Sequence, residues 1–515
     1  MLKRLGLLLM ALVLAGGMAA AQADGAVKVY QSSFGAGNDD WYGRGATVFH
    51  TTEGTLQTTG RSSDWNSPGR NFELIEGGKY ELSVDVRQTA VDSANFMISI
   101  AHSKDGAESY ENLGRGTAKK DEWTTITGSY EAGAFDQYVL YVETTGAPTL
   151  EYEIRNFTVI APEGLPEAKA TAAPMVIEAV ENLESLKDAY AGKFDFGAAA
   201  PSMAFRDLNL MKLMAEQFSI LTPENEMKPD AVLDVAASKK LAAEDETAVA
   251  VRFDAAKPLL DYAVKNGIKV HGHTLVWHNQ TPEAFFHEGY DTGKALVTRE
   301  VMLGRLENYI KAVMDYLKEN YPGVVVSWDV VNEAIDDGTK WLRTTSNWYK
   351  VVGEDFVARA FEYARKYAPE GTLLYYNDYN TAYAGKREGI IKLLKQLQEE
   401  GNIDGYGFQM HHSVGEPPLG NIQMSVRDIA QLGLKLRVSE LDVGIGNRTE
   451  ESYMKQKDLY KAIMELLLKY SDQVEAVQVW GVTDPMSWRR DKYPLLFDGN
   501  MNPKPAFYGV LEACE

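Results

Sequence analysis

The chain has 515 residues, 45% hydrophobic and 24% charged, a composition that fits a globular protein with more than one core. Its 73 acidic against 52 basic residues give a net charge of −21. Such a surface neutralises no phosphates, which excludes nucleic acid and anionic membrane as expected partners. The single cysteine, Cys514, excludes a disulfide framework and a Cys-based metal site.

Residues 1–23 read as a secretory signal. Lys3 and Arg4 open it, Leu5 to Met18 is an apolar run too short to span a bilayer, and Ala21-Gln-Ala23 supplies a small-x-small cleavage site. No Cys follows the cut, so a secreted, extracellular protein without a lipid anchor is expected. From 27 to 160, alternating runs such as Tyr80-Glu-Leu-Ser-Val-Asp-Val86 and Tyr138-Val-Leu-Tyr-Val142 stand between turn residues, which predicts an antiparallel β-sandwich. The stretch 161–182, rich in Ala, Pro and Glu, reads as a linker.

From 183 to 515 the rhythm becomes strand, helix, strand, helix. Short β-type segments fall near Phe194, Ile220, Val270, Val326, Leu374, Ile403, Leu436 and Val479, with amphipathic stretches such as Leu303 to Leu317 between them. Some strands are continuously apolar, as a parallel sheet covered on both faces requires. The fold class is therefore α/β, a (β/α)8 TIM barrel, with a doubly wound open sheet as the alternative. Residues 231–250 form a long excursion that is placed to reshape a cleft rim.

In a TIM barrel, chemistry gathers at the C-terminal ends of the strands. Reading those ends gives His273 and Trp277 on the third strand, Asn332 and Glu333 on the fourth, and Gln409 and His411 on the sixth. The seventh contributes Glu440 and Asp442, and the eighth Trp480. Carboxylates, amides, imidazoles and indoles together suit hydrolysis of a hydroxyl-rich polymer. One carboxyl can protonate a departing glycosidic oxygen while another attacks or stabilises the anomeric carbon. Asn332 can hold a sugar 2-hydroxyl, and Trp480 and Trp488 offer faces for sugar rings. Gln409 and His411, at i and i+2, are expected to reach one spot, where either can orient Glu440. His271 and His273 share a face in the manner of a metal pair, but no third ligand stands near them, so no metal and no cofactor is expected.

These residues lie in motifs that resemble glycoside hydrolase family 10. They include Thr222-Pro-Glu-Asn-Glu-Met-Lys228, His271-Gly-His-Thr-Leu-Val-Trp-His278, Trp328-Asp-Val-Val-Asn-Glu-Ala334, Tyr376-Asn-Asp-Tyr-Asn380, Ser439-Glu-Leu-Asp442 and Ser487-Trp-Arg489. The resemblance implies an endo-1,4-β-xylanase that cleaves xylan with retention, with Glu333 as acid/base and Glu440 as nucleophile. It implies a grip on the non-reducing side by Glu224, Asn225, Lys228, His273, Trp277 and Gln280, with Asn332, Gln409, His411, Trp480 and Trp488 as the remaining wall. Residues 27–160 resemble a family 22 carbohydrate-binding module, which implies xylan contacts from Arg44, Trp65, Tyr110, Tyr141 and Glu143. A structural calcium would be compatible with such a module, but the sequence does not show one. Xylan and xylo-oligosaccharides are the expected partners of a monomer. The competing readings are a β-glucanase on the same chemistry, a carbohydrate-binding protein on an inactive barrel, and a metal-dependent hydrolase.

Overall fold

The computed structural model describes residues 26–35, 37–104, 107–165, 175–180 and 182–515. The expected signal at 1–23 and, within the expected linker, residues 166–174 and 181 lie outside the described residues.

The N-terminal part forms two antiparallel sheets. One runs in the order Thr47–His50, Leu56–Thr59, Tyr152–Ala161, Lys79–Arg87 and Thr124–Glu131, with Val27–Gln31 paired to Tyr152–Ala161. The other runs Tyr42–Arg44, Ser67–Phe72, Gln137–Thr145, Ser93–Lys104 and Ala107–Lys119. Alternation decides which face is covered. Tyr80, Leu82, Val84 and Val86 of one sheet meet Tyr138, Leu140 and Val142 of the other in a shared core with Trp41, Phe96 and Phe157. That leaves Tyr141 and Glu143 on the outer face of the second sheet.

Eight parallel strands then close into a ring: Asp195–Ala200, Ile220–Pro223, Lys269–Trp277, Val325–Asn332, Leu373–Asp378, Gly405–Phe408, Lys435–Gly444 and Val474–Val479. The last pairs with the first, and the sixth with the seventh, so no edge remains. This is the closed barrel, not the open sheet. Helices such as Arg299–Asn320 and Glu450–Leu468 cover it, burying Leu306, Ile310, Val313, Ile463 and Leu467 against the strands. Thr298 and Thr449 cap their N-termini by accepting from Val301 N and Ser452 N.

The sandwich is seated on the barrel through the corner Asp39-Asp40, whose φ angles of 51° and 60° are left-handed. Asp40 accepts from Arg70 Nη2 at 3.3 Å within the sandwich, and from Arg448 Nη1 at 2.9 Å and Gly499 N at 3.0 Å on the barrel. Asp39 and Asn500 exchange two hydrogen bonds of 3.1 and 3.2 Å. A Cβ on Gly37 or on Gly499 would collide with backbone across this seam, so both positions require glycine. The excursion after the second strand contains the helices Pro229–Val232 and Val235–Leu241, and Glu246 pins it to Arg305 at 2.5 Å.

Candidate active site

Glu333 follows the fourth strand with φ 57°, a conformation uncommon for a residue with a Cβ. Its N–H donates to Asn377 O at 2.9 Å, and the turn aims the side chain into the barrel mouth. There Oε2 accepts from Trp277 Nε1 at 2.9 Å and Oε1 from Gln409 Nε2 at 2.9 Å. Glu440, buried within the seventh strand, accepts from Asn377 Nδ2 at 2.7 Å and lies 3.1 Å from His411 Nε2. The amide of Asn377 is fixed by Ser439, whose hydroxyl donates to its Oδ1 at 2.6 Å. Asn377 Nδ2 also reaches Asn332 Oδ1 at 3.0 Å, and Gln409 Nε2 reaches the same oxygen at 3.2 Å. The two carboxylates are thus joined through a chain of three carboxamides, Asn377, Asn332 and Gln409.

Their electrostatic settings differ. His411 Nδ1 sits 2.7 Å from Asp442 Oδ2, and Asp442 in turn takes Arg489 Nη1 at 2.5 Å and Trp488 Nε1 at 3.2 Å. Burial opposes a charge on His411, yet Asp442 and Glu440 outweigh it and push the imidazole up to about 10. Burial likewise pushes Glu440 up, but the His411 hydrogen bond, the neighbouring His273 ring and the His411 charge bring its carboxyl below the ordinary value. Glu440 is therefore tied to a cation, whereas Glu333 accepts from an indole and carboxamides. Asp442 orients His411.

Beyond Trp277, Lys228 Nζ donates to Asn225 Oδ1 and to Gln280 Oε1, each at 2.9 Å, and lies 5.0 Å over the Trp277 ring. Desolvation, with Glu226 adding to it, pushes Glu224 up to about 7. Trp488 is 57% exposed and offers an open face, while Trp480 is buried against the rings of His273 and His411. One cleft of about 710 Å³ collects Glu224, Asn225, Lys228, His273, Trp277 and Gln280 with Asn332, Glu333, Gln409, His411, Glu440, Trp480 and Trp488. No residue of the 231–250 excursion lines that cleft.

Gln409 and His411 do not converge as their spacing suggests. The sixth strand ends at Phe408, and Met410 at φ 58° breaks the alternation, so Gln409 turns to Glu333 and His411 to Glu440. Among the lining residues that the sequence reading did not assign to the site are Tyr379, Asn380, Tyr383 and Glu416, with the Tyr383 hydroxyl donating to Glu416. Asn377, the hub between the carboxylates, stands inside the motif Tyr376–Asn380, and its place at a strand end was the available signal.

On the open face of the second sandwich sheet, the Arg44 guanidinium lies 3.7 Å over the Tyr141 ring, and Glu143 accepts from Ser99 Oγ at 2.6 Å. Burial pushes Glu143 up, with Ser99 and Arg44 opposing. Trp65 is 58% exposed beside Gly45, where a Cβ would come within 3.1 Å of the indole. Tyr110, 61% exposed, pairs across to Ala101 and thence to Val139, which puts it on the same face as Tyr141.

Residues 27–149 match a family described as carbohydrate binding domain, and residues 185–513 match glycosyl hydrolase family 10. Endo-1,4-beta-xylanase A of Thermoanaerobacterium saccharolyticum is 32% identical over 504 residues, which cover 94% of this chain and 41% of that protein. The chain spans less than half the length of this and other long relatives. Among solved structures, the CBM22-1–GH10 modules of Clostridium thermocellum endo-1,4-beta-D-xylanase 10B, complexed with xylohexaose, align with a TM-score of 0.60 at 28% identity. That alignment covers 94% of this chain and 97% of the other. An endo-1,4-beta-xylanase from Caldicellulosiruptor owensensis aligns with a TM-score of 0.57 at 33% identity, covering 64% of this chain and 99% of its own. A closed eightfold barrel, a pair of bridged carboxylates at its mouth and a family match over 185–513 lead to one statement: the chain belongs to glycosyl hydrolase family 10.

Proposed function

We propose that this chain is an exported endo-1,4-β-xylanase that cleaves internal xylosidic bonds with retention of configuration. Glu440 attacks the anomeric carbon, and Glu333 protonates the departing oxygen and then activates water for the second step. The observation that carries this reading is the division between the two carboxylates. Glu440 is held anionic by His411 and Asn377, and Glu333, joined to it through Asn332, Asn377 and Gln409, accepts from uncharged donors. Two carboxyls in unlike settings can serve as nucleophile and acid at one pH.

Glu224, Asn225, Lys228 and Gln280 supply the polar grip for the sugar on the non-reducing side, and Trp488 an apolar face. The sandwich, residues 27–160, holds the polysaccharide at Arg44, Trp65, Tyr110, Tyr141 and Glu143. This is supported by Arg44 Nη1, which is buried without a partner and can be satisfied by a sugar hydroxyl. Tethering to the polymer raises the local substrate concentration with no new catalytic contact. The leader-like residues 1–23 and the linker 161–182 belong to the same proposal.

Proton NMR of freshly hydrolysed xylo-oligosaccharide tests the mechanism: β-anomers should appear first and then mutarotate. Early α-anomer would refute retention. Comparable rates on carboxymethyl-cellulose and xylan would favour the glucanase reading, since glucose differs from xylose by a C5 hydroxymethyl group that would fall near Lys228 and Trp488.

A further inference from the structure

The barrel interior carries a polar string that lies behind the cleft. Branched apolar side chains usually fill such a space. Here Arg437 is buried at its centre, and no carboxylate among the described residues lies within ion-pair distance of it. Its Nη1 is 2.6 Å from His271 Nδ1 and 3.0 Å from Ser327 Oγ, and its Nη2 donates to Gln478, which donates to Thr222 Oγ1 at 2.8 Å. Beyond His271 stands Asp329, with Oδ2 3.0 Å from His271 Nε2 and 2.8 Å from His273 Nδ1. His273 lines the cleft.

A guanidinium has donors only, so the His271 nitrogen facing it must present a lone pair. The His271 proton then lies on Nε2, toward Asp329. Asp329 Oδ2 takes the His273 Nδ1 hydrogen bond at 2.8 Å, which fixes the His273 proton on Nδ1, and it lies 3.0 Å from His271 Nε2. We propose that Arg437 and His271 are positioning residues: through Asp329 they hold His273 in one tautomer, with Nε2 presented to the sugar. The inference rests on reading the cleft as a sugar-binding active site.

Charge balance explains why Arg437 is needed. A buried carboxylate without a nearby cation takes up a proton, and a protonated Asp329 could donate to His273 and reverse its tautomer. Burial, helped by Arg437, pushes His271 down to about 4, so a neutral ring separates the cation from the anion. The other titratable groups facing this string are His273 on the same strand, Tyr375 on the fifth, Asp195 on the first, Glu475 on the eighth and Glu440 on the seventh.

The test is long-range proton–nitrogen NMR of the full chain with labelled histidine. Wild-type His271 should show a neutral Nε2–H ring that does not titrate between pH 5 and 8, and His273 an Nδ1–H. A His271 that titrates in that range, or carries its proton on Nδ1, would overturn the proposal whether or not xylan is hydrolysed. Arg437→Met should make His271 titrate above pH 5 and lower kcat/KM on xylo-oligosaccharides about 10- to 100-fold, a range typical of lost supporting hydrogen bonds. Arg437→Lys should recover most of that loss. A folded Arg437→Met with unchanged kcat/KM also overturns the idea, and if that variant does not fold, the wild-type spectrum decides alone. Absence of xylan hydrolysis by the wild type, with the tautomers as stated, would sink the active-site reading and leave the string intact.

Discussion

Replacing His411 with Asn removes the cation that holds Glu440 ionised. At the observed 3.1 Å, and with an effective dielectric constant of about 20, the Coulomb attraction is about 5 kcal/mol. An Asn amide could return a charge-assisted hydrogen bond of about 1.5–3 kcal/mol. The net loss is then about 2–3.5 kcal/mol, and at about 1.4 kcal/mol per pH unit the Glu440 carboxyl should rise by roughly two units. The direction follows from its surroundings, since burial alone pushes this group up. The acid limb of kcat/KM on an aryl xylobioside, measured from pH 3.5 to 9, should move upward by that amount. An unmoved limb would refute the reasoning. Stability offers an independent check. The folded His411 is pushed up to about 10 from an ordinary 6.5, so its contribution is fully present below pH 6.5 and is lost as pH rises through 10. Urea unfolding should therefore show the largest deficit of His411→Asn near pH 5–6, narrowing toward pH 10. A gap that widened with pH would mean His411 is not a cation.

Glu440→Ala should end turnover on every substrate, because no glycosyl-enzyme can form. Glu333→Ala should cost about 10²–10⁴-fold on xylan yet spare the first step for aryl glycosides with good leaving groups; normal rates on a poor leaving group would remove the acid assignment. Gly272→Ala should destabilise the barrel by about 1–3 kcal/mol, since a Cβ there collides with the buried Trp328 indole, and an unchanged melting temperature would show that the indole can move. Asp40→Asn leaves Arg70 and Arg448 without their shared carboxylate. With Asp40 21% exposed, the cost should be about 1–3 kcal/mol by calorimetry, and no shift would mean the seam adds nothing to stability. Arg44→Ala should weaken retention on insoluble xylan and leave hydrolysis of soluble oligosaccharides unchanged; equal losses on both would favour a purely stabilising sandwich.

The barrel was legible because its strands are short and apolar and alternate with amphipathic stretches, and because the chemistry-bearing residues fall where those strands stop. Glu333 and Glu440 stood among the candidates for that reason, and the resemblance to glycoside hydrolase family 10 implied their roles. What alternation could not foretell was set by single left-handed residues. Met410 sends Gln409 and His411 to different carboxylates, and Glu333 turns out of its own strand. The string from Thr222 to His273 was equally hidden. It joins five strands distant in sequence, and a buried Arg437 looks in one dimension like any strand residue. In the sandwich the period of two assigned the faces, whereas the seam with the barrel depends on the close approach of Gly37 and Gly499, which no local pattern announces.

That seam bears on how the molecule would work along a fibre. A binding domain hung on a loose tether samples a sphere, and its effective concentration falls as the tether grows beyond the span it must bridge. Here the Asp39-Asp40 corner ties the sandwich to the barrel at one offset, so under the proposed function capture and cutting would happen a fixed stride apart. Grafting a foreign domain in its place would restore that stride only if the graft brought its own glycine corner and acidic pair. Otherwise the chimera would trade a ruler for a leash.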